Sequence, residues 1–184
     1  NYTILLVNGA LLAELTQITV VADFRSRDIA AGGQGAPLVP AFHDAVFKHP
    51  DCHRVIVNIG GIANITSLDP SRSIIGFDCG PGNLLMDAWC LRHTGKTYDK
   101  NGQWAATGRI IPVLLEALLA DYFFLRQPPK STGRDLFNVQ WLEKKLLGNE
   151  APEDVQATLL QLTAITIARS IQEYCQTAEE VYLC

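Results

Sequence analysis

The chain has 184 residues, 48% hydrophobic and 18% charged, and carries a net charge of -4. That composition supplies one sizeable core, in a single large domain or one domain with part of another. The acidic balance gives no electrostatic pull toward nucleic acid or an anionic membrane. The five cysteines, odd in number and without a CxxC pair, outline neither a disulfide framework nor a zinc site.

In chain order, residues 2–7 are apolar and strand-like, too short for a signal or membrane segment. Asn8 suits the N-cap of a short helix over 9–15, because its side-chain oxygen can accept from a free backbone N–H. Residues 18–22, rich in β-branched side chains, predict a buried strand that runs into a charged turn at 23–28. A glycine-rich loop follows over 31–37, and Pro40 suits the first position of a helix through Phe47. Residues 54–59 and 62–68 read as strands, and the Gly60-Gly61 pair between them signals a hairpin. After a turn at 69–72, residues 73–78 predict a third strand, Gly80-Pro81-Gly82 a loop, and Asn83 the cap of a helix through His93.

The second half is helical in pattern. Pro112 opens a leucine-rich run ending near Asp121, residues 130–134 form a polar loop, and a helix is expected over 138–147. Pro152, Glu153 and Asp154 make an acidic first turn for the last helix, where Leu160, Ala164, Ile167 and Ile171 predict the core-facing stripe. Residues 181–184 are again strand-like. Hairpin strands with covering helices make a mixed α/β domain. Strand-like runs at both ends need neighbours for their backbone groups, so flanking segments are expected to complete the domain.

Four clusters could carry chemistry. Gly60 and Gly61, flanked by Asn58 and Asn64, leave backbone N–H groups bare enough to approach an anion, although a plain tight turn needs the same residues. Asp78, the Gly-Pro-Gly turn and Asp87 sit where a strand hands over to a helix N-terminus, whose N–H groups favour negative charge. A carboxylate held there can serve as a general base; equally, Asp78 can cap the turn and Asp87 can complement the helix dipole. Arg25, beside Asp23, Arg27 and Asp28, offers planar donors for a carboxylate or phosphate, or belongs to a surface salt-bridge cluster. Lys130-Ser131-Thr132-Gly133-Arg134 lacks the spacing of a P-loop and is not read as one. Cys79, without a histidine near it in sequence, is a passive thiol.

Taken in order, Asp23-Phe24-Arg25, the Gly32–Pro40 string, Asn58-Ile59-Gly60-Gly61-Ile62-Ala63-Asn64, Phe77-Asp78-Cys79-Gly80-Pro81-Gly82-Asn83 and the 130–134 segment resemble the anhydro-N-acetylmuramic acid kinases over essentially the whole chain. Cys79 departs from the threonine expected of the family, which removes a hydroxyl there. The resemblance implies an actin/hexokinase-like (ribonuclease H-like) α/β lobe, present in part. Residues 1–22 would end the first lobe and its crossover, and 23–184 would form most of the second.

It further implies an ATP-dependent kinase that opens and phosphorylates an anhydro amino sugar, with Mg2+, in the cytoplasm. Asp87 is the first choice for the base, Asp78 the second, and Arg25 the charge stabiliser. Asn58, Gly60, Gly61 and Asn64 would bind the nucleotide phosphates; Gly33, Gln34, Gly35, Pro37, Gly80, Gly82 and Asn83 would line the sugar side. No protein metal ligand is assigned. Partners would be the amino sugar and ATP, without nucleic acid or membrane, and a homodimer is common for this fold. The segments expected of the family's first phosphate loop and adenosine motif are not in the chain, so the 184 residues alone are expected to be inactive. The competing reading is a non-catalytic, actin-like nucleotide-binding module.

Overall fold

The computed structural model describes residues 6–184, so the run at 2–7 lies mostly outside the described residues. Helix α1 (Gly9–Thr16) starts as expected, with Asn8 accepting from Leu11 N–H at 3.0 Å. The strand expected at 18–22 is absent: Ile18 and Val21 are 67% and 71% exposed, in extended chain outside any sheet. β-Branched composition favours a strand only where a ladder partner and a packing surface exist, and here neither does. The charged turn at 23–28 is instead helix α2 (Phe24–Ala30), entered through Asp23 in the left-handed region. Helix α3 (Pro40–Phe47) follows as expected.

Strands β1 (Arg54–Ile59), β2 (Ile62–Leu68), β3 (Ile75–Pro81) and β4 (Glu180–Leu183) form one sheet in the order β3-β2-β1-β4. The first three are antiparallel and β4 runs parallel to β1, giving the mixed sheet that the resemblance implies. Strand β3 runs on through Gly80 and Pro81, which the sequence reading placed in a loop. Proline is tolerated there because β3 is an edge strand. The register shifts at Ala63/Asn64, so Ala63 pairs with Gly80 and Asn64 with Asp78, leaving Cys79 as the extra residue of a bulge.

Between β3 and the last helix lie α4 (Leu84–Thr94), α5 (Pro112–Leu119), α6 (Tyr122–Leu125) and α7 (Val139–Glu143). Asp121 ends the leucine-rich run as expected but also caps α6, an additional short helix. Helix α7 stops four residues short of the expected span. Helix α8 (Pro152–Tyr174) buries Val155, Leu159 and Leu162 against Leu85, Trp89, Leu118, Phe137 and Trp141. Its second half buries Ile167 against Val57, Ile65 and Phe77 of the sheet. Leu160 and Ala164, expected in the core stripe, are exposed. Buried polar positions displaced the stripe: Thr158, Thr163, Thr166 and Ser170 bond to backbone carbonyls and can therefore face inward.

The hairpin and the β3–α4 turn are knotted together. Gly82 and Leu84 N–H donate to Gly61 O at 2.9 and 3.2 Å, and Asn83 N–H donates to Gly60 O at 2.9 Å. A Cβ on Gly82 would stand 2.1 Å from Gly60 O, whereas one on Gly61 would meet Leu84 Cβ at an ordinary 3.7 Å. Gly82→Ala is therefore expected to destabilise the fold by about 1–3 kcal/mol in urea titration. Gly61→Ala should stay within about 0.5 kcal/mol of the parent. Equal losses in the two variants would sink this account of the turn.

Candidate active site

Alternation along the strands sends Val57, Ile65 and Phe77 to the α8 side and the next row, Asn58, Asn64 and Asp78, to the other face. Directly paired residues on one face stand about 4.5–5.5 Å apart at Cβ, so these three side chains form one polar row across three strands. The Gly60-Gly61 turn lies at the end of that row. Neither glycine's N–H has a partner among the described residues, and beside them a side chain would meet only ordinary contacts.

Asp78 is 5% exposed. Its N–H donates to Lys130 O at 3.1 Å, and its Oδ2 accepts from Thr132 N–H at 2.9 Å. Residues 130–132 thus cover the free edge of β3 and clamp Asp78 at backbone and carboxylate. Burial pushes the Asp78 carboxyl up to about 6, against the Thr132 N–H and the Arg25 charge, which both act to lower it. Asn64 Oδ1, across the strand pair, is buried without a hydrogen bond, as is Thr132 Oγ1. Arg25 is exposed, its guanidinium bonded to Gly35 O. Among the described residues the 23–28 cluster makes no ion pair, contrary to the salt-bridge reading. Asp28 instead accepts from Gly35 N–H at 2.7 Å and folds the loop over itself, where a Cβ on Gly33 would collide with the Asp28 carboxylate at 2.1 Å. Gln34 lies in the same loop, and Pro37 follows it through a cis peptide bond.

Asp87 occupies a different depression. In the first turn of α4, it lines a cavity of about 550 Å³ with Asn83, Met86, Tyr98, Gln156 and Leu160. Burial raises its pKa, and it has no hydrogen bond or ion pair among the described residues. Helix-terminal amides do not hold it. The N–H groups of Gly82, Asn83 and Leu84 are already bonded to the hairpin carbonyls, so the chain itself takes up part of the helix terminus expected from the sequence to be free for an anion. Asn83 takes the cap position without a side-chain cap bond. Gly80, at φ 150, packs against Phe124 rather than opening a loop. No lining residue of the Asp87 cavity is cationic, so its chemistry suits neutral hydroxyl or amide donors. Gln156, 1% exposed, has an unpartnered Oε1 that invites such a donor.

Asp78, Asn58, Asn64, Gly60 and Gly61 are thus brought together. Arg25 reaches Asp78 by its charge, and Asp87 with Asn83 forms a neighbouring cavity. Lys130 and Thr132 were singled out in the 130–134 segment but given no role at the site, and Gln156 was missed, since only its burial with an unpartnered Oε1 reveals it. No cluster of three His, Cys, Asp or Glu side chains among the described residues could hold a metal, and no helix there is long and apolar enough to cross a membrane.

Since the folded Asp78 carboxyl titrates near 6 against a usual 3.8, the native chain keeps a proton that the unfolded chain releases between those values. Its contribution to stability is complete below pH 3.8 and is lost as pH rises through about 6. Asp78→Asn keeps an acceptor for Thr132 and removes the titration. Urea melts from pH 4 to 7 should show the variant gaining on the parent as pH rises; a constant difference would contradict the raised value.

A family model described as anhydro-N-acetylmuramic acid kinase matches residues 1–184. The anhydro-N-acetylmuramic acid kinases of Nitrosomonas europaea and Nitrosospira multiformis are 65% and 64% identical over 184 residues, covering 100% of this chain and 51% and 50% of theirs. The Pseudomonas fluorescens protein of the same name is 56% identical over 186 residues, covering 51% of its length. The chain therefore spans about half the length of the curated relatives it matches.

Proposed function

The chain belongs to the anhydro-N-acetylmuramic acid kinase family, and from that premise we propose that it forms most of the second lobe (residues 23–184, with 1–22 ending the first) of an ATP-dependent kinase. The enzyme hydrolyses the 1,6-anhydro ring of anhydro-N-acetylmuramic acid and phosphorylates O6. Water attacks the anomeric carbon, the bond from that carbon to the bridging oxygen breaks, and the freed O6 takes the γ-phosphoryl group. A base must accept the water's proton; the products are N-acetylmuramic acid 6-phosphate and ADP.

The observation that carries this reading is the buried Asp78 carboxylate in the Asn58–Asn64–Asp78 row beside an unoccupied pair of glycine amides. A general base works best with a pKa near the working pH, and burial puts Asp78 at about 6. The order of the two aspartates suggested by the sequence is therefore reversed: Asp78 acts as base, with Arg25 stabilising charge beside it. Asp87 and Gln156 hold the sugar's hydroxyl or amide donors in the adjoining cavity. Gly60 and Gly61 keep room that the chain's own packing does not require, which suits close approach of a phosphate to their N–H groups. Gly33, Gln34, Gly35 and Pro37 form the loop that Arg25 and Asp28 shape against the same end of the sheet. Magnesium, when bound with ATP, would neutralise phosphate charge, and the unpartnered Asn64 Oδ1 in the same row is an oxygen that could face it or its water. Such a reaction draws on cytoplasmic ATP, and we assign the protein to that compartment.

Mass spectrometry of the product made by the complete protein in 18O-water tests the chemistry. One phosphoryl group and one 18O at the anomeric carbon are expected. Asp78→Asn should lower turnover by ~100-fold or more, and kcat/KM of the parent should rise with pH through about 6. Asp87→Asn should chiefly raise KM for the sugar. An active Asp78→Asn beside a dead Asp87→Asn would restore the opposite assignment, and ring opening without phosphate in the product would overturn the kinase.

A further inference from the structure

The polar segment at 130–134 does more than cover β3. While Thr132 meets Asp78 on one face of the sheet, the Lys130 side chain turns under the other, where it is 4% exposed and its ammonium stands 4.9 Å from the Phe123 ring centroid. It forms no ion pair or hydrogen bond with any described residue. The apolar stem carries that burial while the ammonium opens on a cavity, and the aromatic face replaces only part of the hydration it has given up. The side chain lines a cavity of about 170 Å³ together with Cys79, Phe124, Thr166, Arg169 and Glu173. Arg169, exposed, adds a second cation at the wall; burial lowers the Lys130 pKa, the Glu173 charge opposes that shift and the Arg126 charge adds to it.

We infer that this cavity is a binding site for a small protonated oxyanion, inorganic phosphate in its hydrogen-bearing forms, held by Lys130 and Arg169 with Glu173 as its proton acceptor. The volume lies well below the roughly 300 Å³ at which pockets for larger organic ligands begin, so nucleotides and sugar phosphates do not fit. Two cations facing one carboxylate discriminate by chemistry. Hydrogen phosphate can donate its P–OH to Glu173 while its other oxygens accept from Lys130 and Arg169. Sulfate has no proton to give at neutral pH and meets the carboxylate as a like charge. Lys130 O and Thr132 N–H both hold Asp78, so an anion that fixes the Lys130 side chain also stiffens the clamp on that carboxylate. The binding itself does not depend on the kinase reading.

The test is calorimetric titration of the complete protein, without nucleotide, using phosphate and then sulfate at matched ionic strength and neutral pH. Saturable phosphate binding with sulfate clearly weaker is expected, and Lys130→Met, which keeps the apolar stem on Phe123, should weaken phosphate binding by roughly tenfold or more. Phosphate binding that is unchanged in Lys130→Met, as it would be at the Gly60-Gly61 amides, overturns the proposal, as does equal binding of the two anions by the parent. Should Lys130→Met fail to fold by circular dichroism, Glu173→Gln decides: loss of the preference over sulfate supports the site, and a preserved preference overturns it.

Discussion

The functional end of the molecule rests on three backbone hydrogen bonds, from Gly82, Asn83 and Leu84 to the carbonyls of Gly60 and Gly61. They join a hairpin to the start of a helix more than twenty residues later, and they require that residue 82 have no side chain. Thr163 of α8 reaches the same knot, its hydroxyl 2.9 Å from both Pro81 O and Gly82 O. One junction therefore fixes the phosphate-type turn, the end of β3 and the first turn of α4 relative to each other. The bonds also decide polarity: the hairpin's carbonyls face the helix, so its amides are left facing outward. The turn thus presents free amides outward while its carbonyls take up the first N–H groups of the helix.

Helix α8 makes that junction rigid by belonging to two cores. Its first half packs on the helices inserted after β3 and its second half on the sheet, each buried large side chain contributing about 1.5–3 kcal/mol. The buried threonines and Ser170 along α8 bond to backbone carbonyls, so their hydroxyls are satisfied where the helix passes the polar end of the sheet. That solution displaced the apolar stripe inferred from sequence spacing.

Much of the fold was legible because its signals are local. Proline at helix starts, Asn8 as a cap and Gly60-Gly61 between two β-rich runs each act within a few residues, and α1, α3, β1 and β2 appear where they point. Two of the failures are non-local. Residues 18–22 have strand composition but no strand to pair with, and the extension of β3 through Pro81 depends on its lying at a sheet edge. The sequence pointed to the glycines and aspartates that the structure gathers in and beside the polar row, but not to their different burial. What clamps Asp78 comes from residues 130–132, more than fifty positions away in a segment whose spacing assigns it no partner.

That clamp gives two carboxylates close in sequence different surroundings. Asp87 sits on a helix turn at the wall of an open cavity, without a hydrogen bond to fix it, where an acceptor can adapt to the hydroxyls of a ligand. Asp78 is fixed by a strand, a backbone bond and a carboxylate bond, and burial opposes its ionisation while the Arg25 charge favours it. A proton acceptor needs both a defined position and an affinity for protons close to the working pH, and burial on a rigid strand supplies the two together. The same burial destabilises the native state once Asp78 ionises. The clamp holds in place a carboxylate that the solvent would otherwise stabilise better, so the residue proposed as base is also one whose ionisation weakens the fold.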